Sequence, residues 1–352
     1  MVLACVVLIV GSVCGSVNAA EQSPADVLHV DALLGNGGRE AHARRLADFT
    51  VNGKTYPWSM WADWGKALVH TGFVEAPPVG EKPSKAVSEV YTCVRCHTTR
   101  PESQDPSQAD PDAALAFALS QDNEPRLTQG AGFYGLVNRT GFYAGLYAKY
   151  HRLCVPKQYG GGKTCLPKLC WPGCRKMDPV SLEDAIQVCA KYCSVGRYLE
   201  EWEMLAMLTY FWDLELTLDD LLLSPEHRRD VLAVFAGNGD VDDERLQQAR
   251  QLVSSRFLPV EPFTQRPKAP GENPPEGDAD RGLDGFAASC QNCHTKNVAR
   301  LIGDVDKFYG MVAKGSGHSK GPYMPEYALE RLSRQQLEDI RAYLEFLASL
   351  EE

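Results

Sequence analysis

Cys93-Val94-Arg95-Cys96-His97 and Cys290-Gln291-Asn292-Cys293-His294 repeat one pattern: two thiols three positions apart, with an imidazole directly after the second. On one helical turn the two thiols reach the same side, where each can form a thioether with a haem vinyl group. The adjacent histidine then turns its ring onto the iron. A zinc site would need four ligands in one tetrahedral set, and nothing in the sequence brings the two pairs together. The spacing predicts two covalently bound haem c groups, one held by Cys93, Cys96 and His97, the other by Cys290, Cys293 and His294.

Composition narrows the remaining classes. Hydrophobic residues make up 44% of the 352 positions and charged residues 23%, which excludes a mostly disordered chain. A formal net charge of -10 argues against a nucleic-acid partner, which would demand a basic footprint. Residues 1–20 carry no charged side chain, run apolar from Val2 to Val10 and end in Val17-Asn18-Ala19-Ala20, as a cleaved signal peptide does. The basic n-region is missing, so an uncleaved N-terminal anchor is the alternative. Cys5 and Cys14 would leave with the peptide. No later stretch reaches about 18 uncharged apolar residues, so the mature protein is expected outside the membrane, in an oxidising, periplasmic compartment.

Beyond the second motif, Gly321-Pro322-Tyr323-Met324-Pro325 precedes a capping box from Ser333 to Gln336. The box opens a helix with Leu337, Ile340, Leu344 and Leu347 on one face. Residues 278–352 thus read as one small haem domain, and they resemble class I cytochromes c. The resemblance implies that Met324, in a Met-Pro loop before the last helix, is the sixth iron ligand. Met311 and His318 are its rivals. A His/Met pair raises the potential of an iron, which suits an electron outlet. Residues 259–277 are rich in proline and read as an extended linker. Ser224 to Leu258 before it reads as charged helical segments.

The N-terminal domain, residues 21–258, has no Met-Pro after its haem motif. Ser181 caps a helix on which Leu182, Ile186, Cys189 and Cys193 share a face, and Trp202, Leu205, Leu208 and Trp212 line one side of the next helix. Cys189, Gly196-Arg197 and the stretch from Glu201 to Leu216 resemble the first haem domain of thiosulfate dehydrogenases and of the SoxA subunit of the SoxAX cytochromes. By that resemblance Cys189 is the axial ligand and Arg197 a basic residue near a sulfur-anion substrate. A serine tends to stand four residues after that cysteine in the family, where this chain has Cys193. A thiolate ligand lowers an iron's potential, so a downhill path toward the Met-ligated site follows. His151 is a reserve ligand.

Cys154, Cys165, Cys170, Cys174, Cys189 and Cys193 fall within 40 residues, the first four in an insertion over 154–174. All six could form three disulfides; with Cys189 on iron, five remain; a structural metal on Cys165, Cys170 and Cys174 is a further alternative. Asn138-Arg139-Thr140 fits a glycosylation acceptor, and His29, His42, His70 and His227 read as surface or capping histidines. The expected fold is mainly α, with two cytochrome c-type haem domains joined by a Pro-rich linker. The expected function is electron transfer with a small cytochrome or other redox protein as partner. Oxidation of thiosulfate or a related anion at the Cys-ligated haem is one form of it, and a non-catalytic carrier is the other.

Overall fold

The computed structural model describes residues 28–80, 82–121, 126–128, 130–142, 154–157, 162–165, 180–235, 242–294, 305–315 and 324–350. The leader, His151, Cys170, Cys174 and His318 lie outside the described residues, as do the side chains of Cys154 and Cys165. The architecture is mainly α-helical. The first half carries α1 (Val30–Leu34), α2 (Gly38–Asp48), α3 (Trp58–Thr71) and α4 (Pro111–Ser120), then α5 (Leu182–Val188), α6 (Glu201–Trp212), α7 (Pro225–Phe235) and α8 (Asp243–Ser254). α9 (Ala279–Ser289), α10 (Val305–Lys314) and α11 (Arg334–Ser349) follow. The described strands, β1 (Cys154–Lys157) and β2 (Gly162–Cys165), pair antiparallel with Cys154 opposite Cys165.

The main core forms where α6 crosses α3, and it positions the first motif. The apolar spacing of α6 predicts a one-sided helix, yet every residue from Trp202 to Trp212 is buried. Its polar members are buried with partners: Glu203 pairs with Arg197, and the Thr209 hydroxyl accepts from His42 Nε2 at 2.8 Å while donating to the Leu205 carbonyl. Counting polar residues as outward-facing misses this, because a satisfied polar group is tolerated inside. At the crossing, a Cβ on Gly65 would sit 2.0 Å from the Ala206 carbonyl oxygen. The helix propensity gained by alanine is only about 1 kcal/mol. Gly65→Ala is therefore expected to destabilise the fold by on the order of 3 kcal/mol, read as a lower denaturation midpoint. An unchanged midpoint would contradict this crossing.

His42 corrects the reading of surface histidines: it is 4% exposed. Burial, reinforced by Arg45 and Arg39, pushes its pKa down to about 4. The unfolded chain then binds a proton below about 6.5 that the folded chain refuses until about 4, so stability falls as pH drops through that window and levels off beneath it. The full effect is about 3 kcal/mol. Urea titrations from pH 7 to 4 should show a shallower loss for His42→Gln than for the native chain. Asn138 is likewise buried, its amide oxygen accepting from Leu216 N at 2.9 Å, so it is no glycosylation acceptor.

The second core lies between α9 and α11, joined by α10. Ser333 caps α11 as expected, accepting from Gln336 N at 3.0 Å, and Leu337, Ile340 and Leu344 are buried. A Cβ on Gly282 would meet the Asp339 carbonyl oxygen at 1.9 Å, so α9 and α11 cross backbone to backbone. A third core gathers α1, α7 and α8. Residues 259–277 hold no helix or strand and bind both sides: Pro259 O accepts from Thr140 N and Thr264 O from Leu329 N. No helix among the described residues is long and apolar enough to cross a membrane.

Candidate haem sites

Cys93–Arg95 form a 3-10 turn rather than an α-helical one, closed by Cys96 N to Cys93 O at 3.1 Å, and His97 N returns to the same carbonyl at 3.0 Å. Both thiols and the imidazole are thereby gathered at one point. Burial pushes the Cys93 thiol up to about 12, and that of Cys290 likewise.

His97 is fixed from three directions. Its Nδ1 lies 2.7 Å from the Ala131 carbonyl, which can only accept, so Nδ1 carries the proton and Nε2 keeps a bare lone pair. Its ring stacks on Phe133 with centroids 4.8 Å apart, and Phe133 stacks in turn on Phe211 at 4.6 Å. A Cβ on Gly130 would fall 2.2 Å from its Cε1, so only glycine lets the chain pass there. The open Nε2 faces the Cys189 sulfur at 4.0 Å. An imidazole lone pair and a cysteine sulfur facing each other are donor types that a haem iron takes. The residues fit an iron ligated by His97 and Cys189.

Cys189 does not lie on an α-helix. α5 ends at Val188, and Cys189–Cys193 form a wider π turn with Ser194 N bonded to Cys189 O at 2.9 Å. Such turns recur at functional sites and carry no compositional signal. Val195 follows with a φ of 57°, the left-handed region a β-branched residue avoids, so surrounding contacts hold this turn. Arg197 supplies them. Its Nε donates to Ala86 O, Nη1 to Tyr198 O and Glu203 Oε2, and Nη2 to Lys85 O and Glu203 Oε1. All five of its donors are thus engaged inside the protein.

At the second motif, Cys290 ends α9, and Cys293 N and His294 N both return to Cys290 O, at 3.1 and 2.9 Å. Cys290 and Met324 pack on the same core. Met311 is half-buried on α10.

The two motifs lie against each other, which no sequence spacing foretold. Cys96 and Cys293 hydrogen-bond, and this with Arg95 draws the Cys293 thiol down to about 7. Arg95 Nε donates to Asn292 O at 2.9 Å. Arg331, from the C-terminal half, grips Glu102 with Nη1 and Nη2 at 2.9 and 2.8 Å, and donates to Thr128 O and Gly130 O as well. Burial raises the Glu102 pKa, but the guanidinium outweighs it and leaves the carboxyl below its usual range.

Residues 277–344 match the family described as cytochrome C oxidase, cbb3-type, subunit III. No curated protein and no solved structure matches the chain. The match covers α9, the second motif, α10, Met324 and most of α11, the same unit the fold sets apart. The C-terminal part is therefore a cytochrome c domain with covalently bound haem c, and the chain is an electron-transfer haem protein.

Proposed function

We propose that the chain is an exported dihaem cytochrome that relays electrons to a small redox protein. In this reading Cys93 and Cys96 would attach one haem, and His97 and Cys189 would hold its iron. Cys290 and Cys293 attach the other, with His294 and Met324. The carrying observation is the 4.0 Å span from His97 Nε2 to the Cys189 sulfur. Each haem supplies a reversible one-electron centre, and a thiolate ligand lowers its potential while a methionine raises it. The protein's part is to hold the ligands: Ala131 fixes the His97 proton, Phe133 its ring, and Arg197 the turn bearing Cys189. The direct contact of Cys96 with Cys293 supports a short route between the two attachment points.

We infer a relay rather than oxidation of thiosulfate or a related anion at Cys189. Arg197 has no donor left for an anion, and releasing one would unpair Glu203, which is 1% exposed. The pyridine haemochrome assay on protein exported with its haem-attachment machinery should give two haems per chain, and Cys93→Ala/Cys96→Ala one. A single haem in the native protein would contradict the dihaem reading. Rapid reduction by thiosulfate alone would contradict the relay assignment.

A further inference from the structure

One guanidinium from the C-terminal half holds the chain on either side of Ala131, whose carbonyl fixes the His97 proton. Before it, Arg331 Nη2 donates to Gly130 O at 3.0 Å. Beyond it, Gly132 packs on Glu102, where a Cβ would meet Glu102 Cγ at 3.0 Å and Cδ at 3.1 Å, and Arg331 grips that carboxylate at 2.9 and 2.8 Å. Arg331 Nε also reaches Thr128 O at 2.9 Å, and the Thr128 hydroxyl donates to Cys96 O at 2.6 Å. The segment that aligns the first motif is thus placed from the other half of the molecule. Arg331 is itself tied to the second motif: its N returns to Ala328 O at 3.2 Å, and the neighbouring Tyr327, which is buried, donates its hydroxyl to Ser289 O at 2.6 Å, next to Cys290. Leu127 N adds a parallel bond to Ala288 O at 3.0 Å.

We propose that Arg331 is a positioning residue through which the C-terminal domain sets the hydrogen bond on His97 Nδ1, and with it the potential of the first iron. This rests on His97 being a ligand of that iron. A firm bond from Nδ1 to a carbonyl raises the basicity of the opposite ring nitrogen, and a more electron-rich ligand favours the oxidised metal. Without the guanidinium the chain loses its hold on both sides of Ala131, the bond slackens and the reduced state gains. A lysine keeps the charge but lacks the planar fork, so it cannot hold the carboxylate and both carbonyls together.

The test is a redox titration of the intact dihaem protein, with exchange of the His97 Nδ1 proton followed by nuclear magnetic resonance in the reduced state. Arg331→Lys conserves charge, so a shift it produces reports position rather than a lost cation. It should raise the potential of the first centre by about tenfold in its reduction equilibrium, about 59 mV for one electron, and speed exchange of the His97 proton by a similar factor. The second centre and the His294 proton should stay unmoved. Arg331→Met/Glu102→Gln, which leaves the summed charge of the pair at zero, should act the same way. Should the double variant fail to fold, Arg331→Lys alone reads both quantities. A first-centre potential and a His97 exchange rate equal to the native ones in Arg331→Lys overturn the inference about Arg331 alone, and the pair then only joins the halves. A Cys290→Ala/Cys293→Ala chain that carries no haem overturns the first site beneath it, and this inference falls with it.

Discussion

Arg331→Met is expected to lower the stability of the chain by about 3–5 kcal/mol, the loss seen when one partner of a buried ion pair is removed. Arg331 and Glu102 side chains are 13% and 14% exposed and lie 229 residues apart in sequence. The substitution removes both guanidinium bonds from the Glu102 carboxylate, leaving it the Gly132 backbone bond, and takes the Arg331 donors from the Thr128 and Gly130 carbonyls. The double variant Arg331→Met/Glu102→Gln should recover part of the loss, because the stranded charge is gone. The same change removes one of several bonds between the halves, since Leu127 N to Ala288 O, Arg95 Nε to Asn292 O and Gln336 Nε2 to Pro111 O remain, so the calorimetric transition should broaden. Equal stability of native and Arg331→Met proteins in guanidinium titration would show that this pair does not join the halves.

Gly130→Ala is expected to disable the first site while sparing the second. The new methyl would have to clear His97 Cε1 from 2.2 Å, a displacement of about an ångström, and the ring is backed by Phe133 on Phe211 and cannot retreat. His97 must therefore leave its bond to Ala131, and the span to Cys189 is lost with it. One of the two low-spin signals should disappear, at a stability loss of roughly 1–3 kcal/mol. Retention of both signals would mean that His97 tolerates a methyl where the geometry leaves no room.

What could be read from the sequence was local. Ser181 and Ser333 sit in cap patterns whose partners are three residues away, and both caps are formed. The haem motifs are equally local, since chemistry dictates their spacing. Cys189 could be singled out by its place before Gly196-Arg197, and the structure brings it to His97 across 92 residues. The anion-binding role expected of Arg197 did not account for Glu203, whose burial the polar character of glutamate disguises. His42 was misplaced for the same reason. The π turn, the closeness of Cys96 to Cys293 and the Arg331–Glu102 clamp have no periodicity or composition to betray them. The last two arise from packing two halves whose contact residues are far apart in the chain, and the first from bonds within the N-terminal half.

The central claim is that the first iron is held between His97 and Cys189. Electron paramagnetic resonance of the oxidised dihaem protein tests it most directly. Two low-spin species are expected, one with the narrow g-spread of thiolate ligation, which Cys189→Met converts to a His/Met-type signal while the other species stays unchanged. A native spectrum holding only His/Met or His/His signals, or a thiolate signal that survives Cys189→Met, would contradict it.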